Sequence, residues 1–300
     1  MIVLMVPQGA ALEVDRVAEV AQAAGADVIE TRAVPVPVTL FDRRTVHNLL
    51  VSSADTEGLS SRLRDLSDQY GVDIALQSRA ARCQSYRLAV FDMDSTLIDC
   101  EVIDQLAAQA GVGEAVAEIT AQAMRGDLDF DESYRTRLAL LEGLDARAVE
   151  ELADRLPVKE GLREMTTTLK AQGLKLAIVS GGFMPIAERL QVDYGFDEVV
   201  ANTLEIASGK VTGRVVPPIV NREHKAAALQ ALATRLGIGV DACIAVGDGA
   251  NDLDMMAMAG LGVAFHAKPA VRAASPIEVT HCGLDGVCYL LGSEGEFANT

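Results

Sequence analysis

The sequence predicts an α/β protein in which a doubly wound parallel sheet with a helical insertion follows a smaller βαββαβ unit. Residues 1–77 alternate short apolar segments with two amphipathic helical patterns. From residue 86 onward, apolar segments of strand length are separated by long helical patterns, an alternation typical of a parallel sheet with helices on both faces. Polar residues directly follow several of these segments, where open α/β sheets bind ligands.

The first 77 residues are expected to form a domain of their own. The apolar segment Ile2–Val6 is a strand candidate, and apolar residues recur at helical spacing between Val14 and Ala21. The unit continues with two strand candidates, a second helical pattern and a last strand candidate, at residues 27–34, 45–51, 59–66 and 72–76. This βαββαβ order is that of a ferredoxin-like domain. The polar segment 77–85 is expected to end it.

Residues 86–300 are expected to form the second domain. Its strand candidates are residues 88–91, 176–179, 243–246 and 261–265. Between the first two lies an insertion, from about residue 99 to 156, whose apolar residues suggest a small helix bundle. An insertion at the mouth of an α/β site is well placed to be a cap. Residues 204–220 place Gly and Pro among β-branched residues, which predicts a hairpin.

Charge and composition argue against several functions. The 300 residues include 26 Lys+Arg and 43 Asp+Glu, a net charge of −17, which disfavours binding to a nucleic-acid backbone. The longest apolar segments fall well short of the ~20 residues that span a bilayer, and the N-terminus lacks the basic start of a secretory signal. Five cysteines without a C-x-x-C pair indicate free thiols in a reducing compartment. We therefore expect a cytoplasmic protein with no membrane or nucleic-acid partner.

The first candidate site is the pair Asp92 and Asp94, directly after the strand candidate 88–91. Two residues apart on extended chain, their side chains can point the same way. Adjacent carboxylates repel each other and usually need a cation or a shared proton, and Mg²⁺ prefers oxygen ligands. One carboxylate can then attack phosphorus while the other transfers protons. An isolated D-x-D pair is more often a solvated turn, so this interpretation needs further motifs.

Two further motifs are suited to bind an anion. Ser180 and Gly181 follow the second strand candidate and precede a helical pattern, where glycine lets backbone N–H groups approach an anion at a helix N-terminus. Lys225 lies at the start of an Ala/Leu-rich helical pattern and can contact phosphate oxygens as a point charge. Taken singly, an ordinary β–α turn and a solvated lysine are the better explanations of these two motifs.

The last motif, residues 247–252, follows the third strand candidate. Asp248 can complete a magnesium site with Asp92 and the backbone carbonyl of Asp94, and Asn251 offers an amide to a phosphate. Because all four motifs fall at strand ends or a helix start of one domain, together they indicate a single site for a metal ion and a phosphate.

The order and spacing of these motifs resemble those of the haloacid dehalogenase-like phosphotransferase superfamily. Residues 91–96, 180–183 and 247–252, with Glu101, are similar to those of its phosphoserine phosphatases, a resemblance that extends from about residue 86 to the late 280s. It implies Mg²⁺-dependent hydrolysis of O-phospho-L-serine to L-serine and phosphate through an aspartyl-phosphate, the final step of L-serine biosynthesis. It implies a nucleophile (Asp92), a general acid/base (Asp94), metal ligands (Asp92, Asp94 and Asp248) and phosphate contacts (Ser180, Gly181, Lys225 and Asn251).

The resemblance also implies substrate-binding residues in the cap. Glu101 would face the ammonium group of the substrate and Arg137 its carboxylate, a pairing suited to a bidentate guanidinium. Arg135 lies on the same predicted helix and competes for this assignment, although the adjacent Leu138 favours Arg137. Met124 and Phe130 match positions that close over the substrate, and they fit the core of the cap equally well.

The N-terminal unit resembles the small amino-acid-binding regulatory domains called ACT, in topology alone. The Asp-Arg-Pro-Gly-like loop that often follows the first strand of such domains is replaced by residues 6–10, Val-Pro-Gln-Gly-Ala. A structural or homodimerising role is therefore at least as well supported as serine sensing.

Two alternative functions stay open. One keeps the chemistry and changes the substrate: a phosphotransferase to homoserine, or a phosphatase for another small phosphomonoester. The other is an amino-acid-sensing regulatory protein in which the N-terminal unit is the working part. The complete motif set argues against the second alternative.

Overall fold

The computed structural model describes residues 1–34, 44–52, 55–125 and 127–292, arranged around two separate β-sheets. The first sheet is antiparallel and has the order β2-β3-β1-β4. With its two helices it comprises β1 (Ile2–Val6), α1 (Val14–Ala23), β2 (Asp27–Ala33), β3 (Thr45–Ser52), α2 (Thr56–Tyr70) and β4 (Asp73–Leu76). This confirms the predicted βαββαβ order and its ferredoxin-like sheet.

The strand β1 is buried on both faces of the first sheet, and its alternate residues, which point to opposite faces, enter two different cores. On β1, Ile2 and Leu4 pack in one core with Leu59 and Leu63 of α2. The intervening Val3 and Met5 belong to a different core, which continues into the C-terminal part of the chain. At β1 the first sheet therefore lacks the solvated face that many small antiparallel sheets retain, whereas most residues of the outer strand β2 are exposed.

The second sheet has seven strands in the order β11-β10-β9-β5-β6-β7-β8. All neighbours pair in parallel except β7 and β8, which form the predicted hairpin. The strands are β5 (Leu88–Phe91), β6 (Lys175–Phe183), β7 (Glu198–Ala207), β8 (Lys210–Val216), β9 (Cys243–Gly247), β10 (Leu261–Phe265) and β11 (Glu278–Val279). The chain leaves β5 for β6 on one side and returns to β9 on the other, so β5 lies at the switch point where open α/β sheets bind ligands.

Among the described residues between β5 and β6, the first four helices after β5 form the cap. A short helix, α3 (Arg79–Cys83), precedes β5, and the cap helices are α4 (Val102–Gln109), α5 (Gly113–Arg125), α6 (Phe130–Ala139) and α7 (Arg147–Ala153). The two connections to the cap pair with each other: the N–H of Asp99 donates to the carbonyl of Pro157 at 2.6 Å, and that of Lys159 to Leu97 at 2.9 Å. The cap is thus joined to the sheet through a narrow paired stem.

Six more helices follow the cap: α8 (Leu162–Ala171), α9 (Met184–Tyr194), α10 (Arg222–Leu236), α11 (Leu253–Met258), α12 (Pro269–Ala274) and α13 (Gly286–Tyr289). Within the described residues, no helix combines the length and apolarity that crossing a membrane requires.

The polar segment 77–85, expected to end the first domain, lies between the two sheets and is exposed or half-buried except at two residues. Gln77 and Arg82 are both buried. The side-chain amide of Gln77 donates to the carbonyl of Leu290 at 3.0 Å, and the Arg82 guanidinium donates to that of Tyr289 at 2.6 Å. Their polar groups satisfy carbonyls at the end of the described chain, which local sequence does not indicate.

Candidate active site

Asp92 is held at the centre of the second sheet. All four residues of β5 are buried, as expected for a parallel strand covered on both faces. Directly after it, the N–H of Asp92 donates to the carbonyl of Val246 on β9 at 2.9 Å, and Oδ1 of Asp92 accepts the N–H of Met93 at 2.7 Å. The carboxylate therefore has a fixed position at the switch point, where only 5% of the residue is exposed.

Lys225 of α10 reaches the same place. Its side chain is fully buried, and Nζ lies 2.8 Å from Oδ1 of Asp92 and 2.7 Å from Oδ1 of Asp252. Although burial alone would lower it, the carboxylates of Asp252 and Asp92 raise the pKa of Lys225. The ammonium is therefore charged at neutral pH, with its charge directed into the site.

Asp248, at the end of β9, joins the two carboxylates that Lys225 contacts. Carboxylate oxygens of Asp92, Asp248 and Asp252 lie within 4.8 Å of one another, and all three residues are buried. Thr96 supports this geometry, because its hydroxyl donates to Oδ1 of Asp248 at 3.0 Å. Three carboxylates thus converge beside the buried ammonium of Lys225.

The electrostatics of this cluster fit a divalent cation. Burial, followed by the charges of Asp92 and Asp252, raises the pKa of Asp248 to about 7. Burial and the charge of Asp92 likewise raise the pKa of Asp252 to about 6. Such raised values indicate uncompensated negative charge, and hard oxygen donors in this number suit Mg²⁺ or a similar ion. The site can therefore hold a metal ion.

Asp252 is a functional residue that the sequence motifs do not by themselves identify. The sequence feature that marks it is its place as the second aspartate of the pattern G-D-x-x-x-D at residues 247–252. In the structure, Oδ2 of Asp252 accepts the N–H of Gly249 at 3.0 Å, and its other oxygen contacts Lys225. It orients the lysine and the turn that carries Asp248.

Asp94 occupies a different environment from Asp92. Its carboxylate is not among the three that converge; Oδ2 instead accepts the N–H of Val102 at 3.3 Å. Within the described part of the chain, the buried Oδ1 has no hydrogen-bond partner. Burial, then the charges of Glu101 and Asp92, raise the pKa of Asp94 well above its ordinary value. A carboxyl group with a raised pKa keeps its proton more readily than a solvated aspartate does, as a general acid requires.

Ser180 and Gly181 lie in the last part of β6, which extends to Phe183 rather than ending at residue 179 as expected, and whose pairing with β7 is irregular between Val179 and Phe183; this irregular segment is the serine turn. Ser180 is buried, and its hydroxyl accepts the N–H of Gly182 at 3.0 Å. A Cβ on Gly182 would lie 3.2 Å from both carboxylate oxygens of Asp94, so the backbone approaches that group as closely as a glycine permits. The turn leads directly into α9, whose N-terminus favours an anion.

Asn251 is the remaining predicted phosphate contact. It is half-buried in the turn Ala250–Asp252, which directly follows Asp248 and Gly249. The structure therefore brings the D-x-D pair, the serine turn, the lysine and the 247–252 segment to one edge of the sheet.

The cap contributes Glu101 and the N-terminal half of α6. Glu101 immediately precedes α4, and Oε1 accepts the hydroxyl of Ser95 at 2.8 Å. The ring of Phe130 reaches to 3.6 Å from the position a Cβ would take on Gly181, and it stacks on Tyr134 with 6.2 Å between ring centroids. Phe130 thus covers the serine turn. Met124 lies on α5, and its side chain is outside the described residues.

The two competing arginines of α6 differ in exposure. Arg135 is exposed, whereas Arg137 is half-buried. Arg137 donates to the hydroxyl of Thr120 at a long 3.4 Å. Its buried Nε has no hydrogen-bond partner among the described residues. A half-buried guanidinium whose buried Nε has no partner is expected where an anionic group binds.

Sequence comparison agrees with this geometry. The model of the haloacid dehalogenase-like hydrolase family matches residues 89–257. The chain is also 46% identical over 259 residues to a phosphoserine phosphatase of Streptomyces coelicolor. That alignment covers 85% of this chain and 63% of the relative, so the chain spans less than two thirds of the relative's length.

Two solved structures are similar over much of the chain. A HAD family hydrolase from Salmonella enterica serovar Typhi has a TM-score of 0.86 at 30% identity, with 99% of each chain covered. A phospho-aspartyl intermediate analogue of phosphoserine phosphatase has a TM-score of 0.65 at 38% identity and covers 69% of this chain and 100% of its own. The family match spans β5 to α11 and includes the D-x-D pair, the serine turn, the lysine and the second aspartate motif. The chain therefore belongs to the haloacid dehalogenase-like hydrolase family.

Proposed function

We propose that the chain hydrolyses O-phospho-L-serine to L-serine and phosphate in a Mg²⁺-dependent reaction, as the final step of L-serine biosynthesis. The observation that carries this proposal is that Asp92, Lys225 and Asp248 converge at one place. Asp94 lies beside them in its own environment, where its pKa is raised. The name of the Streptomyces coelicolor relative supports the substrate. The phospho-aspartyl analogue supports a covalent intermediate.

The phosphate would bind between the serine turn and Lys225. The Ser180 hydroxyl, the Gly181 N–H and the Asn251 amide are neutral donors, and Lys225 adds a permanent positive charge. These groups offset the negative charge of the phosphoryl oxygens as bonds to phosphorus form and break. Because α10 fixes the backbone of Lys225 and two carboxylates fix its ammonium, this charge needs little reorganisation during the reaction.

Asp92 is the proposed nucleophile and Asp94 the proposed acid/base. A carboxylate oxygen of Asp92 attacks phosphorus while the bond from phosphorus to the serine oxygen breaks, and Asp94 gives its proton to that oxygen. An aspartyl-phosphate on Asp92 results. In the second half, Asp94 takes a proton from water, whose oxygen attacks phosphorus and restores the carboxylate of Asp92. The raised pKa of Asp94 supports its protonation before the first step.

The metal would be held by Asp92, Asp248 and the backbone carbonyl of Asp94. When bound, Mg²⁺ supplies positive charge to the phosphoryl oxygens and offsets the repulsion between the carboxylates. Thr96 and Asp252 hold these ligands in place through their hydrogen bonds.

The amino-acid end of the substrate would lie under the cap. Glu101 would pair with the ammonium group, and Arg137, with its unpartnered buried Nε, with the carboxylate. Arg135 is disfavoured because it is exposed. Phe130 and Met124 would close over the substrate and limit the entry of water.

The N-terminal domain is proposed to form a homodimer. Its strand β2 is at one end of the described sheet, and Ile29 on that strand is 60% exposed. Light scattering should give twice the chain mass for the wild type and the chain mass for Ile29→Lys; a monomeric wild type contradicts this part.

The proposed location is the cytoplasm. All five cysteines are free thiols, as is usual in a reducing compartment, which supports this location.

The test is phosphate release from a panel of phosphomonoesters, with Mg²⁺ and with a chelator. O-phospho-L-serine should give the highest kcat/KM, and the chelator should abolish turnover. Equal or faster turnover of a substrate without an amino-acid end would contradict the substrate assignment. Adding homoserine tests the rival phosphotransfer, since O-phosphohomoserine formed at the expense of phosphate would favour that activity.

A further inference from the structure

Asn221 caps the helix that carries Lys225. It immediately precedes α10, where its Oδ1 accepts the N–H of His224 at 3.1 Å. Its carbonyl accepts the N–H of Lys225 at 2.9 Å. A side-chain cap of this kind fixes the first turn of a helix. Because Lys225 lies in that turn, the position of its ammonium depends on Asn221.

The same carboxamide reaches the cap. Nδ2 of Asn221 donates to Oδ1 of Asp131 at 3.1 Å, and both residues are half-buried. Asp131 lies in the first turn of α6, directly after Phe130, which covers Gly181. The Asn221 side chain therefore accepts a hydrogen bond from the helix of Lys225 through Oδ1 and donates one to the cap helix α6 through Nδ2.

A second asparagine ties this segment to the serine turn. Asn202 on β7 is 1% exposed. Its Nδ2 donates to the carbonyl of Gly181 at 2.7 Å, and its Oδ1 accepts the N–H of Val220 at 2.8 Å. Asn202 thus joins the Gly181 turn to the residue that precedes Asn221, and the two carboxamides link that turn, the Lys225 helix and the cap.

We propose that Asn221 is a positioning residue that latches the cap closed and couples its closure to the phosphate-binding groups. The proposal rests on the proposed function, since it takes a phosphomonoester under the cap as the ligand. The hydrogen bond to Asp131 favours the closed arrangement of α6 over the site. Asn202 transmits that arrangement to the Gly181 turn. The latch acts on binding and cap opening and leaves the bonds made at phosphorus unchanged.

The two functions of Asn221 can be separated by one substitution. In Asn221→Asp the carboxylate still accepts the N–H of His224, because Asp and Asn are comparable helix caps. The donor to Asp131 is lost, however, and two carboxylates then face each other. In the double variant Asn221→Asp with Asp131→Asn, the amide lies on the cap and the acceptor on α10, so the hydrogen bond can form with its direction reversed.

The test measures steady-state kinetics with O-phospho-L-serine and hydrogen–deuterium exchange of the whole chain with Mg²⁺. Asn221→Asp should raise KM about tenfold and change kcat less than about threefold, because loss of a hydrogen bond to a charged group lowers the closed population. Exchange should accelerate in residues 130–139 and stay unchanged in residues 226–236. The double variant should restore both KM and the exchange of residues 130–139.

Asp129→Ala is the matched control on the same helix. Asp129 caps α6 by accepting the N–H of Glu132 at 2.7 Å. Asp129→Ala should accelerate exchange in α6. Adding Asn221→Asp to this variant should not restore that exchange. A double variant that fails to restore exchange overturns the latch, as does unchanged exchange in Asn221→Asp. The exchange measurement needs no substrate. It therefore tests the latch even if O-phospho-L-serine proves not to be the substrate.

Discussion

The ammonium of Lys225 lies 2.8 Å from Oδ1 of Asp92, and both groups are almost entirely removed from solvent. Desolvating such a pair is costly, and losing either partner leaves a buried charge uncompensated. The neighbouring Asp252 and Asp248 add two more carboxylates to the same space. The cluster thus places carboxylates where they can bind a metal ion, and beside them a fixed ammonium that can contact a phosphoryl group.

Asp92→Asn should abolish turnover, since an amide oxygen at this position is a poor nucleophile toward phosphorus. We expect kcat with O-phospho-L-serine to fall by roughly 10³-fold or more, and mass spectrometry of acid-quenched enzyme should detect no phosphorylated protein. Asp94→Asn is the informative companion, because it retains the nucleophile and should slow both half-reactions. Wild-type activity in Asp92→Asn would exclude this nucleophile.

Arg137→Ala should weaken binding of the substrate carboxylate. A hydrogen bond to a charged group contributes about 1.5–3 kcal/mol, so KM for O-phospho-L-serine should rise by roughly 10- to 100-fold. Phosphoethanolamine, which lacks the carboxylate, should be hydrolysed equally by the variant and the wild type. The matched control is Arg135→Ala, two residues away and exposed, which should leave both substrates unaffected. If Arg135→Ala instead raised KM for O-phospho-L-serine and Arg137→Ala did not, Arg135 would be the partner of the substrate carboxylate.

Stabilisation by Mg²⁺ should depend on pH. Folding raises the pKa of Asp248 to about 7 and that of Asp252 to about 6, so the metal-free folded state binds protons more tightly than the unfolded chain. Its stability therefore falls as pH rises from about 4 to about 7. Metal binding requires the deprotonated carboxylates, so affinity should drop by roughly tenfold per pH unit below about 7.

Thermal unfolding checks this dependence. The increase in Tm caused by saturating Mg²⁺, relative to chelator-treated protein, should be larger at about pH 8 than at about pH 5.5. Asp248→Asn should reduce the increase at both pH values. An increase that is larger at the lower pH would contradict the assignment of Asp248 as a metal ligand.

Arg44→Met should destabilise both sheets together. The guanidinium of Arg44, directly before β3, donates to Oδ1 of Asp285 at 2.7 Å. Their side chains are 4% and 0% exposed. Burial raises the pKa of Asp285 even with Arg44 beside it, so the unpaired carboxylate would be strongly unfavourable. We expect a loss of about 3 kcal/mol or more in the free energy of unfolding, measured by urea denaturation as one transition.

Arg147→Met gives the comparison, because its pair with Asp145 lies at the surface, with the arginine side chain 78% exposed. Such pairs contribute about 0–1 kcal/mol. The double variant Arg44→Met with Asp285→Leu should recover part of the loss, since it removes both buried charges. Two separate unfolding transitions in Arg44→Met would show that the sheets do not depend on each other.

Much of the fold and of the site was predictable because the signals are local. The strand Ile2–Val6 and the strand Leu88–Phe91 were placed with correct bounds, since each is a short apolar segment ended by Pro or Asp. The hairpin of β7 and β8 followed from glycines among β-branched residues. The parallel pairing of residues 198–200 with β6 was missed, because it depends on a neighbour rather than on a pattern within the strand.

Asp252 and Asn202 show the limit for the site. Asp252 belongs to the pattern G-D-x-x-x-D and Asn202 to no motif, and neither spacing nor composition indicates which group either side chain contacts. In the fold, Asp252 is fully buried against Lys225, and Asn202 joins the Gly181 turn to Val220. Their importance comes from burial, which makes each hydrogen bond necessary.

The order of chemical groups along the chain was determined by the sequence itself: a D-x-D pair, a serine turn, a lysine and a second aspartate motif, each beside a strand or helix that local periodicity marks. Only the tertiary structure decided which of these groups meet, which arginine of α6 keeps a buried face, and that Asn221 contacts cap and core at once. The reason is physical. Periodicity reports on neighbours within a few residues, whereas charge density, desolvation and closure of the cap depend on chain segments brought together by packing.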